Sequence, residues 1–96
     1  VSEGSEAVVS RTVTIVNRRG LHARAAAKLV NAAERFSANV DVLRDGQSVS
    51  ARSIMGLMML GAGMGSAVEL RAEGFDAHEA LEAIAALIEA GFHESD

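Results

Sequence analysis

The sequence predicts a two-layer α+β domain, with helices packed on one face of a mostly antiparallel sheet. Short β-branched stretches alternate apolar and polar residues with period two. Longer stretches repeat apolar residues at helical spacing. The two kinds of segment follow one another as β-α-β-β-α-β-α, and such elements bury their apolar faces by stacking as layers. At 96 residues the chain has the length of a single domain with one ordinary core.

Residues 1–10 read as a flexible tail ahead of a domain spanning 11–92. "TVTIV" predicts a strand over Thr12–Val16 with Val13 and Ile15 inward. "NRRG" is a loop, and a helix starts near Ala23 with Ala26, Leu29, Val30, Ala33 and Phe36 on its apolar face. "ANVDVLRDGQSVSAR" predicts a hairpin. Val40 and Val42 lie on one arm, Val49 and Ala51 on the other, and Asp45-Gly46 supplies a turn that needs positive φ twice. "SIMGLMMLGAG" predicts a short helix capped by Ser53 and ending near Gly61 or Gly63. "SAVELRA" is a fourth strand with Val68, Leu70 and Ala72 inward. The last helix has Asp76 as N-cap, Glu79 three residues on and Gly91 past its end. Leu81, Ile84 and Ile88 are its buried stripe.

Composition narrows the function. The 49% hydrophobic content is that of a globular chain, not a disordered one. Phe36, Phe75 and Phe92 are the only aromatic residues, too few for a base-stacking platform. Without cysteine there are no disulfides or thiolate metal sites, which suits a reducing cytoplasm. No run approaches the length of a membrane span, and the first ten residues do not read as a signal peptide. The charge is uneven. Residues 11–35 hold six basic side chains and one acid, whereas residues 73–96 hold seven acids and no lysine or arginine. A basic region on a chain of net charge −4 fits a local anion site or an acidic partner, not general nucleic-acid binding.

That basic region centres on His22, with Arg18, Arg19, Arg24 and Lys28 nearby. The first backbone N–H groups of the helix, at Ala23 and Arg24, lack intrahelical acceptors and carry the positive end of the helix dipole. An imidazolium is disfavoured there, and a neutral imidazole has a lone pair for nucleophilic attack. A phosphoryl group on that nitrogen would meet the same N–H groups and the Arg24 fork. The dipole adds about 1–2 kcal/mol, which helps the group bind without trapping it. Read from the residues alone, His22 is either this nucleophile or a surface cap. His78 and His93 receive no role. The histidines have no metal-ligand spacing, and no Ser-His-acid set is legible.

"GLHARAAAKLV" and "SARSIMGLMMLGAGMGSAVEL" together resemble the HPr family, the histidine-containing phosphocarriers of the phosphoenolpyruvate-dependent phosphotransferase system. The resemblance runs from about Arg11 to Ala90. It implies an open-faced β-sandwich of four antiparallel strands and three helices. It also implies that His22 takes a phosphoryl group on Nδ1 from phosphorylated enzyme I and passes it to an EIIA-type protein, in the sugar or the nitrogen-related branch. Arg24 matches the arginine beside the phosphate. Ser53 matches the serine that a kinase phosphorylates in many members, which would make an HPr kinase/phosphatase a further partner. Ile54, Met55 and Met58 fall on the partner-docking helix. The chain would then be a cytoplasmic, monomeric relay rather than an autonomous enzyme. It would have no cofactor of its own, since phosphoenolpyruvate and Mg²⁺ belong to enzyme I. One departure is plain: Ala25 stands where the family usually has proline, and the chain has no proline at all. Alanine restores an N–H and loosens the first turn.

Ser53 reads both as a helix cap worth about 1 kcal/mol and as a regulatory site. A phosphate is tolerated electrostatically at an N-cap, but it would put about two negative charges among Ile54, Met55 and Met58. Leu57 and Leu60 read as core. The adaptable methionines read as a docking patch for several partners, with plain core as the other reading. Two rival functions remain at this point. One is a regulatory docking module of the same fold; the other is a small metabolite-binding domain without phosphorylation.

Overall fold

The structure, a computed structural model, describes residues 8–95. Strands β1 (Val8–Thr14), β2 (Asn39–Arg44), β3 (Gln47–Ser50) and β4 (Ala67–Glu73) form one sheet. Its order is β1-β4-β2-β3 and every pairing is antiparallel. Helices α1 (Ala23–Ala33), α2 (Ile54–Met59) and α3 (Ala77–Glu89) follow in the predicted order, and a 3₁₀ turn covers Gly91–His93.

The alternation read from the sequence sets which strand face is covered. Val13, Val40, Val42, Val68, Leu70 and Ala72 are buried. They are in register across the sheet, Val13 opposite Val68, Leu70 opposite Val42, and Ala72 opposite Val40. The helices meet this face with Ala26, Leu29, Val30 and Ala33 of α1, Leu57 of α2, and Leu81, Ile84 and Ile88 of α3, all buried. Phe92, fully buried after α3, joins the same core. Asp45 and Gly46 adopt φ of 52° and 82°, the left-handed pair that the hairpin turn requires.

Several boundaries differ from expectation. The first strand runs Val8–Thr14, not Thr12–Val16. Its inward positions are Val9, Arg11 and Val13, and the arginine hides the alternation from a hydropathy reading. Arg11 instead reaches α3, with its guanidinium 2.9 Å from Glu89 and 3.3 Å from Glu82. Ile15 is still buried, but its N–H and C=O bond Ser66 and Gly65 beyond the ladder. Residues 8–10 of the expected tail are therefore strand, while 1–7 lie outside the described residues. At the other end, structure useful to the site continues past residue 92. Phe36 lies beyond α1 and is only half-buried. Helix α2 ends at Met59, with Leu60 as its C-cap. Asp76 begins α3 but makes no side-chain cap bond. Its carboxylate accepts from the N–H groups of Ser37 and Ala38 at 2.9 and 2.8 Å, so it fastens the α1–β2 loop.

Candidate functional site

The loop before α1 is set by contacts that leave little freedom. The Leu21 N–H donates to the Ala62 carbonyl at 3.0 Å, and Leu21 itself is buried. Gly20 has φ +68°, and a Cβ there would lie 2.6 Å from Ala62 O and 2.8 Å from Gly63 Cα. Only glycine combines that dihedral with that approach. The next residue but one, His22, is thereby delivered to the N-cap of α1 with extended φ/ψ of −75° and 178°.

As N-cap, His22 behaves as the helix start requires. Its carbonyl accepts from the Ala26 N–H at 2.8 Å, and its Nδ1 accepts from the Arg24 N–H at 3.2 Å. Its other ring nitrogen, Nε2, donates to the Glu94 carboxylate. These two partners assign the tautomer: the proton is on Nε2 and the lone pair is on Nδ1, facing the positive end of the helix.

Nothing in the sequence singles out Glu94. It lies 72 residues from His22, just before the end of the chain, and no spacing rule connects the two. Three features bring it into place. Phe92 is anchored in the core. Gly91, Phe92 and His93 take φ of 64°, 55° and 57°, which turn the chain back over α1. Lys28 Nζ donates to the Phe92 carbonyl at 2.6 Å. Glu94 Oε1 also accepts from Asn17 Nδ2 at 3.1 Å, and the same amide nitrogen donates to Gly20 O at 2.8 Å. The hydrogen bond from His22 holds the Glu94 carboxyl below its ordinary value. Desolvation opposes that lowering, while the hydrogen bond from Asn17 and the positive charge of Lys28 reinforce it.

Around the ring lies a polar cavity of about 280 Å³, lined by Arg19, His22, Arg24, Lys28, His93, Glu94 and Ser95. Of the basic residues near His22 in sequence, Arg19, Arg24 and Lys28 reach this cavity and Arg18 is not among its lining. His93, read as without a role, also lines it. The arrangement suits an anion next to Nδ1, served by backbone N–H donors and guanidinium groups. Among the described residues no three His, Cys, Asp or Glu side chains gather as a metal site, and no helix is long and apolar enough to cross a membrane.

The second motif sits beside this loop through the Leu21–Ala62 bond. Ser53 Oγ accepts from the Gly56 N–H at 2.9 Å, the cap read from the sequence. Leu57 and Leu60 are buried, whereas Ile54, Met55 and Met58 are exposed. Two further methionines, Met59 and Met64, are also exposed. The plain-core reading of the methionines therefore fails, because a helix of six residues turns only one side inward.

Comparison with known proteins identifies the family and the fold. The family profile described as "PTS HPr component phosphorylation site" matches residues 9–90. The phosphocarrier protein HPr of Cupriavidus necator is 48% identical over 89 residues, covering 93% of this chain and all of that one. The phosphocarrier protein NPr of Shewanella violacea is 46% identical, covering 91% and 96%. The crystal structure of HPr-C-His from Thermoanaerobacter tengcongensis superposes with a TM-score of 0.87 at 45% identity, covering 92% of this chain and 99% of that one. The chain belongs to the HPr family of phosphocarrier proteins of the phosphotransferase system.

Proposed function

We propose that the chain accepts a phosphoryl group from phosphorylated enzyme I on His22 Nδ1 and passes it to an EIIA-type protein. One observation carries this reading: Nδ1 keeps its lone pair at the N-terminus of α1, beside the Arg24 N–H and within a cavity lined by Arg19, Arg24 and Lys28. The lone pair attacks phosphorus in line as the bond to the donor breaks, and the donor atom takes back that electron pair. No proton need leave the ring. The positive charge it gains is shared toward Nε2, where the Glu94 carboxylate stands. The phosphoryl oxygens then take over the Arg24 N–H and meet its guanidinium. Transfer to the acceptor is the reverse of these events with a new nucleophile.

Ile54, Met55 and Met58 form the docking surface for both partners in this proposal. Phosphorylation of Ser53 by a kinase would add charge at that surface and weaken docking. The carrier acts as a monomer in the cytoplasm. The test is incubation with phosphoenolpyruvate, Mg²⁺ and a cognate enzyme I, followed by intact mass and acid-lability analysis. The expected product carries one acid-labile phosphoryl group, absent in His22→Ala. No gain from an enzyme I shown to be active on another carrier would refute the proposal.

A further inference from the structure

On the far side of Lys28 from His22, α1 and α3 leave a second cavity of about 600 Å³. The phosphocarrier reading does not use it. Its floor is Ala32 from α1 and Ala83, Ala86, Leu87 and Ala90 from α3. Ala86 and Ala90 are exposed, and Ala32, Ala83 and Leu87 are half-exposed. The size falls within the range of small-molecule sites.

Charge around the groove is one-signed, although the chain as a whole is acidic. Lys28 and His93 stand at one end and Arg35 at the other, and no Asp or Glu is among its lining residues. The two cations are not equivalent. Lys28 donates to the Phe92 carbonyl and its charge also faces Glu94, so it is already engaged. Arg35 is exposed and has no carboxylate within ion-pair distance among the described residues. Its guanidinium lies over the Phe36 ring, 5.8 Å from the centroid, and keeps a planar fork for an incoming anion. Lys28 lies within α1 and Arg35 in the turn just past its end at Ala33, seven residues on and about 10 Å away at helical rise.

We propose that this groove binds a linear aliphatic carboxylate of roughly octanoate length, a chain that fits within the about 10 Å between the groove's two ends. The carboxylate pairs with Arg35, and the chain lies on the alanine and leucine floor toward Lys28. A folded protein partner is a poorer fit. A trough about 10 Å long offers a fraction of the roughly 800 Å² per partner that a stable protein interface needs.

The test is an NMR titration of the full-length ¹⁵N-labelled chain with octanoate below its micelle concentration. Saturable shifts are expected at the amides of Ala32, Ala83, Ala86, Leu87 and Ala90. Arg35→Gln should weaken binding by about fivefold, the size of an exposed ion pair, and octanol should bind the wild type correspondingly less well. Ala86→Glu, which sets a carboxylate on an exposed part of the floor, should abolish binding. Lys28→Gln should change affinity by less than about twofold, since its charge is engaged elsewhere. Absence of saturable shifts at these amides overturns the proposal, as does octanol binding as tightly as octanoate. An Arg35→Gln variant with wild-type affinity also overturns it, provided its amide spectrum is that of the folded chain.

Discussion

Gly20→Ala tests how the His22 loop is held, and Gly61→Ala is its control. Both glycines have nearly the same left-handed φ, +68° and +66°. Alanine at either site therefore costs about 1–2 kcal/mol from the dihedral alone. The surroundings differ. At Gly61 nothing lies within 4 Å of the added Cβ, whereas at Gly20 it would meet Ala62 O at 2.6 Å and Gly63 Cα at 2.8 Å. Those are backbone atoms, so relief comes only from moving the loops apart by several tenths of an ångström. Overpacking of that kind adds about 1–3 kcal/mol. Gly61→Ala should lose about 1–2 kcal/mol and Gly20→Ala about 2–5 kcal/mol in total. At roughly 4–8 °C per kcal/mol for a domain this size, melting temperatures should separate the two variants clearly. Urea titrations at pH 7 give the free energies. Phosphoryl acceptance should then be compared at a temperature where both remain folded. A shifted loop misplaces Nδ1, and Gly20→Ala should be slower by on the order of tenfold or more, with Gly61→Ala close to wild type. If the two variants have equal stability, the close approach to Ala62 does not hold the loop and this reasoning is wrong.

Glu94→Gln should show its effect in pH dependence. The Glu94 carboxyl is held below its ordinary value of 4.5, so its contribution to stability is full above that value and fades as pH falls through the lowered folded value. The urea midpoints of wild type and variant should differ at pH 7 and converge as pH falls below the lowered folded value; a gap unchanged throughout the acid range would contradict the hydrogen bond to His22 as its source. Arg24→Ala should slow phosphoryl transfer by about a hundredfold while affinity for enzyme I changes little, and equal loss in both would place the arginine in docking instead. Ser53→Asp should weaken enzyme I binding on the order of tenfold, and unchanged calorimetric affinity would separate Ser53 from the docking surface. Asp76→Ala should cost about 2 kcal/mol through two lost charge-assisted bonds to Ser37 and Ala38, with α3 helicity retained by circular dichroism. Loss of α3 instead would restore the capping role.

The sequence carried whatever depended on local pattern. The β-α-β-β-α-β-α order, the Asp45-Gly46 turn, the Ser53 cap and the buried stripe of α3 each follow from residues a few positions apart. Three of the readings that missed share one cause, a polar side chain whose partner is distant in the chain. Arg11 occupies an inward strand position because Glu82 and Glu89 receive it across the sheet edge. Asp76 has the composition of a cap yet bonds the α1–β2 loop. Glu94 meets His22 only because Phe92 is buried and the chain turns left-handed there. The site was legible from one side only. The glycine, histidine and arginine cluster in one short motif, whereas Asn17 and the Glu94 side-chain carboxylate join it through tertiary structure.

That missing side changes the electrostatic account of His22. A helix N-terminus alone surrounds the ring with positive charge, which favours a bound dianion and opposes a charge on the ring itself. The structure divides these influences between the two nitrogens. Nδ1 faces the Arg24 N–H, and Nε2 faces Glu94. In the proposed chemistry, the carboxylate balances the ring as it gains charge, while the helix end balances the phosphoryl oxygens as they arrive. Both partners are in position before the reaction, so little reorganisation is needed in either direction. Asn17 is almost fully buried and its Nδ2 reaches both Gly20 O and Glu94. It therefore ties the loop that positions Nδ1 to the turn that supplies the counter-charge. A relay must load and unload with similar ease, and a ring held between a weak anion site and a weak cation site favours neither end of that exchange strongly.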